Sequence, residues 1–350
     1  MEGGGVEVSE RSVKYLRLAF RNGHRDIEAY GQITLPPGAI EEGDIVDRSA
    51  VVRALTEARL RADLSFVHAS LPDRKGYLFD LVIPRRGTPL SDDVGLALSK
   101  QVPLSPAEMV FDCETILAES DSSARSVVVA AFPEAFAQKY VEAFGAAGLS
   151  PLSLELESQA AARALFAGGS DAAALCVDFG VEKSVLSIVQ RGVVRFATSA
   201  EGAGALDAAL GARISVMQHK RQDVADIEAK LEKMKTDVGL VADDSTVEMF
   251  AAAAAALVAE INRVLVYWNS RIVKGEAREK VASMLLYGGN ANIRGLTDHL
   301  SRALGLPVAL ADVRPALGLG MREAAIPRDQ SLRYVTALGL ALRAGQSSPW

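Results

Sequence analysis

The apolar positions along the chain fall into short alternating runs and longer stripes of helical period, the pattern of a mixed α/β protein. An apolar run at 172–177 reaches Asp178, Gly180 permits a tight turn, and an alternating strand leaves through Lys183 and Ser184 to Ile188. This reads as strand, acid–glycine turn, strand. A glycine beside an acid lets backbone N–H groups approach a phosphate closely. Asp178 could hold a magnesium ion through water, since Mg²⁺ keeps several waters and takes few carboxylates. The same spacing also fits an ordinary hairpin. A similar layout opens the chain after a flexible start at 1–5: residues 5–18 read as strand, polar turn, strand, with Glu7 in the place of Asp178 and Ser9 in the place of Gly180. Ser12 falls five residues after its acid and Ser184 six. Two acid-tipped hairpins half a chain apart predict either a duplicated fold with a cleft between its halves or two unrelated hairpins.

Between the hairpins the pattern predicts a strand at 24–35 and a helix at 47–60 with Val51, Val52, Leu55 and Leu60 inward. Strands at 64–69, 77–83, 110–117 and 127–132 and helices at 91–102 and 133–148 then read as a small α/β insert. A strand at 150–156 and a helix opened by Ser158 lead back to the central hairpin. Beyond it, Gly202 and Gly204 precede a helix whose free N–H groups could admit an anion, with a tight left-handed turn as an equal alternative. A helix at 223–238 places Ile227, Leu231, Met234 and Val238 on one face and leaves Glu232 and Lys235 on a solvated face. A long helix follows at 245–274. The strand at 281–287 runs into Gly288, Gly289 and Asn290, a flat backbone surface that a purine could lie against. The last helix is expected at 332–343.

Composition narrows the classes. At 350 residues, 49% apolar and 23% charged, the chain has globular composition and length for two domains or one bilobed unit. A net charge of −6 gives no electrostatic reason to seek nucleic acid. Cys113 and Cys176 are too few for a disulfide framework, and the histidines show no ligand spacing. No signal peptide is visible, and the most apolar stretch, 250–259, is about half of what a membrane span needs. A cytoplasmic protein, or a soluble partner of something in a membrane, is expected.

The order of motifs is acidic hairpin, insert, second acidic hairpin, Glu–Lys helix, then strand–Gly–Gly–helix. That order resembles the actin-like ATPase superfamily, and within it the PilM family of type IV pilus assembly, related to FtsA. The resemblance rests on residues 5–14, 36–40, 127–132, 147–152, 155–160, 177–180, 286–291 and 337–342. It implies an α/β fold, actin-like (ribonuclease H-like, duplicated) and two-lobed, with an FtsA-type inserted subdomain. The lobes would comprise 1–63 with 150–170, and 171–350 with a helical subdomain at about 205–280; the insert would be 64–149. By the resemblance, Glu7, Ser9, Ser12 and Lys14 would face the phosphates of ATP and its Mg²⁺ from one lobe, and Asp178, Gly180, Lys183 and Ser184 from the other. Gly202 and Gly204 would assist. Glu232 and Lys235 match the ribose and base helix, and Gly288, Gly289 and Asn290 the adenine-side turn. Glu157 matches the acid that orients water in actins, though a helix-start acid complementing the dipole explains it as well. Glu7 and Ser9 depart from the family's usual Asp and Gly, and Glu182 would crowd phosphate oxygens, so little or no ATPase activity is expected. The implied function is an ATP-binding scaffold on which the cytoplasmic N-terminal tail of a PilN-like inner-membrane protein docks, where the insert meets the first lobe. The scaffold would communicate with the pilus motor ATPase and touch the membrane only through its partner. A self-polymerising filament protein and a metabolic kinase of the same fold are the alternatives.

Overall fold

The computed structural model describes residues 2–21, 24–84, 90–100, 102, 104–116, 124–210, 230–240, 245–271, 279–318 and 325–345. Two five-stranded sheets carry the same topology. In the first, β1 (Glu2–Val8), β2 (Ser12–Arg21) and β3 (His24–Thr34) form an antiparallel meander. A small hairpin, β4 (Ile40–Glu41) and β5 (Asp44–Ile45), then precedes helix α1 (Arg48–Ala62). Strands β6 (Phe66–Leu71) and β10 (Ser150–Leu156) extend the sheet in parallel from β1, giving the order β10-β6-β1-β2-β3. In the second, β11 (Ala174–Phe179), β12 (Lys183–Gln190) and β13 (Val193–Glu201) form the meander. Strands β14 (Ser283–Tyr287) and β15 (Val308–Leu310) run parallel to β11, giving β13-β12-β11-β14-β15. The halves therefore repeat one fold.

The central strands read as unbroken apolar runs because both faces are covered. In β11 only Asp178 departs from full burial. Helix α1 begins where Asp47 accepts the Ala50 N–H at 2.9 Å and ends at Asp63 in the left-handed region. It buries Val51, Leu55, Ala58 and Ala62, whereas Leu60, expected inward, falls off that stripe and is 67% exposed.

Between β6 and β10 lies a three-stranded antiparallel sheet of β7 (Tyr77–Pro84), β8 (Met109–Thr115) and β9 (Ala124–Pro133), ordered β7-β9-β8. Helix α2 (Leu90–Leu98) covers it with Val94 and Leu98. Sequence reading starts the insert at 64 and ends it at 149. In the structure β6 sits inside the first sheet, and α3 (Glu134–Ala146) buries Phe136, Tyr140 and Phe144 in the first-lobe core. The separate sheet thus spans 77–133; the apolar run Val67, Ala69 and Leu71 suits a central strand rather than an insert edge. Arg195 on β13 grips Asp80 on β7 at 2.9 Å to both carboxylate oxygens, fastening this sheet to the second lobe.

The chain leaves the first lobe through α4 (Glu157–Leu165) and returns at its end through α7 (Val335–Leu342). Between them come α5 (Ser245–Ser270) and α6 (Leu296–Leu304). Residues 247–270 of α5 are long and apolar enough to cross a membrane. Phe250, Leu257, Ile261 and Trp268 of α5 nevertheless point into the second-lobe core. Part of the expected helix at 223–238, with Ile227, lies outside the described residues. Helices α4 and α7 cross closely: a Cβ placed on Gly339 would stand 1.7 Å from the Ala160 carbonyl oxygen. One placed on Gly5 would stand 2.1 Å from the Ala337 carbonyl oxygen. The glycine run at the start of the chain, expected to be flexible, is therefore strand β1, bare where α7 lies against it.

This crossing generates a prediction. Gly339→Ala should overpack the α4–α7 contact and cost about 1–3 kcal/mol, read as a lower midpoint in thermal unfolding followed by circular dichroism. An unchanged midpoint would show that the helices can part without penalty.

Candidate functional site

The parallel strands of both sheets end at one crevice. At or just beyond their carboxyl ends stand Glu7 on β1, Asp73 after β6, Glu157 after β10, Asp178 on β11 and Gly288 after β14. Crevices outside the carboxyl ends of strands are the usual ligand sites of open α/β sheets. The two hairpin turns face each other here. Ser9 and Ser12 are joined within the first turn, Oγ to Oγ at 3.3 Å, and Arg11 reaches Glu182 of the second turn at 2.5 Å.

Acids outnumber bases in this crevice. Lys14 Nζ lies 2.7 Å from Glu7 Oε1, and Lys183 Nζ lies 2.5 Å from Glu157 Oε2. Burial opposes the Lys14 charge, but Glu7 and then Asp178 outweigh it and hold its pKa above the ordinary value. Lys183 is likewise raised against burial, chiefly by Glu157. Asp178 is pushed up to about 7 by burial, with Glu7 and Glu157 adding to the shift against the pull of Lys14. Asp73 is pushed up to about 7 by burial and then by Glu157. It accepts the Ser158 N–H at 2.9 Å and the Ser158 hydroxyl at 2.5 Å. Helix α4 is therefore capped from outside by Asp73, and Ser158, expected to be the cap, is a donor inside its first turn.

Several expected residues hold different positions from those read in sequence. The Ser184 hydroxyl turns to the Glu201 carbonyl at 3.2 Å. Neither Gly202 nor Gly204 is in the left-handed region. The Gly202 N–H is donated to the Glu182 carbonyl at 3.2 Å and the Ala203 N–H to the Gly180 carbonyl at 3.0 Å. Gly202 is small for another reason: a Cβ there would meet the Val181 carbonyl oxygen at 2.3 Å. Lys235 is not on a solvated face. It is 2% exposed and pairs with Asp207 at 2.7 Å and with Glu232 at 3.5 Å.

The Glu232 carboxylate also binds Arg333. Arg294 N–H donates to the Lys235 carbonyl at 2.9 Å and its carbonyl accepts from Leu240 at 2.9 Å, so the helical turn carrying Glu232 is tied to the loop after β14. Between them opens a cleft of about 470 Å³ lined by Glu232, Lys233, Thr236, Asn292, Arg333 and Tyr334 among others. Gly288, in the left-handed region, lies against Asp178, while a Cβ at Gly289 would meet nothing within 4 Å. Asn290 donates its N–H to the Phe179 carbonyl at 3.0 Å, and its buried amide has no partner for either Oδ1 or Nδ2. Glu7 Oε2 is buried and unpartnered too. Among the described residues no three Asp, Glu, His or Cys side chains converge on a metal. A cation at Asp178 would thus be held largely through water, with the acid excess and the free Glu7 oxygen favouring it.

Sequence reading missed Asp73, Asp207, Arg333 and Tyr334. Only Asp73 carried a signal, as an acid just past the end of a central apolar run. A second cleft, of about 290 Å³, lies where β8, β10, α4 and the β12–β13 turn meet. Arg163 there forks onto Glu155 at 2.9 and 2.5 Å, and Arg343 adds a charge 3.9 Å from the same carboxylate. Phe166, Ala167, Val193 and Val194 supply apolar walls. Nearby His68 is held down to about 4 by burial and then by Arg343 and Arg163.

The fold matches solved structures along its length. The PilM-PilN type IV pilus biogenesis complex contains a chain 21% identical, with 99% of each chain covered and a TM-score of 0.77. MreB5 of Spiroplasma citri bound to ADP is 12% identical, with 98% of this chain and 96% of that chain covered and a TM-score of 0.55. The ethanolamine utilization protein EutJ from Carboxydothermus hydrogenoformans is 14% identical, with 98% and 89% covered and a TM-score of 0.52. The expected actin-like, two-lobed α/β fold is thereby shown. The family model described as type IV pilus assembly protein PilM matches residues 5–345, so the chain belongs to the PilM family of type IV pilus assembly proteins.

Proposed function

We propose that the protein is an ATP-binding scaffold of a type IV pilus assembly complex, working at the cytoplasmic face of the inner membrane through a membrane partner. The observation that carries the nucleotide half is the crevice itself. Acids from four strand ends, two lysines and the unsatisfied buried atoms of Glu7 and Asn290 meet beside a cleft large enough for a nucleoside. Asp178 and Glu7 would hold Mg²⁺ through water, and Lys14 and Lys183 would balance phosphate charge. Arg333, Glu232 and Tyr334 would line the nucleoside side, and Gly289 offers its open backbone to the base. Glu157 is committed to Lys183 at 2.5 Å, which favours binding over hydrolysis.

The partner half rests on the second cleft. It stands where the inserted sheet meets the first lobe, with apolar walls and two guanidiniums. An extended cytoplasmic tail of a PilN-like membrane protein could order there, apolar side chains against Phe166 and Val194 and its carbonyl or carboxylate oxygens toward Arg163 and Arg343. The pilus motor ATPase would be a further partner.

Two experiments test these halves. Saturating MgATP should raise the melting midpoint, by about 2.7 kcal/mol of stability at a hundredfold excess over Kd, and Asp178→Asn should abolish that rise. The same variant has a second signature. A carboxyl whose pKa is raised from the ordinary 4 or so to about 7 in the fold costs stability as pH rises through that window and no more above it. Without nucleotide, wild-type melting should fall from pH 5 to pH 8, and Asp178→Asn should make that fall shallower, Asp73 supplying the rest. A wild-type midpoint indifferent to MgATP would make the crevice vestigial.

For the partner, calorimetry with the N-terminal cytoplasmic peptide of the neighbouring bitopic membrane protein should give binding. Ala167→Trp, which fills the exposed lip of the cleft, should weaken it by about tenfold, equivalent to about 1.4 kcal/mol, without altering melting. Equal affinity in that variant would place the tail elsewhere.

A further inference from the structure

We propose that Arg11 is a phosphate-binding residue of this crevice, held across the two hairpin turns by Glu182 until a polyphosphate displaces that carboxylate. The proposal rests on the nucleotide reading above and adds a residue to it. The other cations of the two turns are committed: Lys14 to Glu7 at 2.7 Å and Lys183 to Glu157 at 2.5 Å, each side chain at most 18% exposed. The Arg11–Glu182 pair differs in kind. Its Nε and Oε1 are 2.5 Å apart, yet the side chains are 62% and 39% exposed, at the open rim where the turns face each other.

Exchange is favoured on three physical grounds. An exposed ion pair contributes at most about 1 kcal/mol, so little is lost when it opens. Guanidinium presents a planar fork of donors that suits phosphate oxygens and makes strong charge-assisted hydrogen bonds with them. Glu182 beside a phosphate would repel it, and handing Arg11 to the phosphate frees the carboxylate to turn into solvent. The turns themselves would stay in place. Glu10, next to Arg11, is held by Arg74 at 3.2 Å, and the Glu182 carbonyl is fixed by the Gly202 N–H at 3.2 Å. Only two side chains need to move. In this arrangement Glu182 competes with the ligand for Arg11, so the crevice binds phosphate more weakly than its cations alone would allow.

The test is calorimetry on the full chain, wild type, Arg11→Gln and Glu182→Gln, with three probes: MgATP, magnesium tripolyphosphate and adenosine. Both positions are exposed, so melting without ligand should match wild type and serve as the folding control. Arg11→Gln should weaken MgATP and tripolyphosphate by about tenfold, in line with loss of a hydrogen bond to a charged group, and leave adenosine unchanged. Glu182→Gln should tighten both phosphate probes severalfold. If wild type binds MgATP and both variants bind it equally well, Arg11 is not a phosphate ligand while the nucleotide reading stands. Equal weakening toward adenosine would also overturn the proposal. Binding by Glu182→Gln where wild type binds nothing would support it, with Glu182 as the occluding group. If neither binds, the nucleotide reading fails and the proposal with it.

Discussion

Burying more negative than positive charge between two lobes is the constraint around which this molecule is arranged. Glu7, Asp73, Glu157 and Asp178 share the crevice with two lysines, and each acid is delivered by the end of a different strand. Isolated buried charges are prohibitively costly, so such groups must be paired, hydrogen-bonded or partly protonated. All three solutions are visible: Glu7 and Glu157 hold the ammonium groups, Asp73 takes the donors of Ser158, and Asp178 is pushed toward the neutral form. The fold pairs what it can and leaves an excess of acid where a positively charged group would be stabilised.

Much of the architecture was legible in the residues. The two hairpins could be read because an acid at the end of an apolar run followed by a turn is a local pattern, and local patterns survive in sequence. Their common sheet order shows that the halves are one topology repeated, a fact that no pair of short motifs could carry. Glu232 and Lys235 were located by helical spacing, but spacing alone cannot tell a solvated face from one covered by a distant element. Lys235 is covered by Asp207, on a helical stretch after β13. Gly202 illustrates the same limit. Glycine in sequence announces freedom of backbone or closeness of approach without saying which, and here the Val181 carbonyl decides for closeness.

The boundary of the insert is set by strand pairing and not by composition. Strand β6 precedes and helix α3 follows the inserted sheet with no break in composition, so residues 64–149 read as one small α/β unit. What separates them is pairing: β6 finds β1 and β10, and α3 finds the α1 layer, contacts formed over long sequence distances. Likewise the Asp73 cap of α4 spans 85 residues and could not be seen from the helix itself. Long-range partners are what local periodicity leaves out.

The grip of Arg195 on Asp80 gives the molecule a buried attachment between its lobes away from α4 and α7. The inserted sheet is covalently part of the first lobe, entering after Gly76 and leaving at Pro133, yet it is ion-paired to β13 of the second at 2.9 Å, both side chains 9% exposed. Lobes that pivot about α4 and α7 could swing like a pair of jaws. With the insert strapped to the opposite jaw, any widening of the crevice must either tear a buried pair or flex the strands on which the insert hangs. Breaking a buried pair by separating its partners is strongly destabilising, so the strap confines the jaws to small excursions and makes the inserted sheet the part that yields.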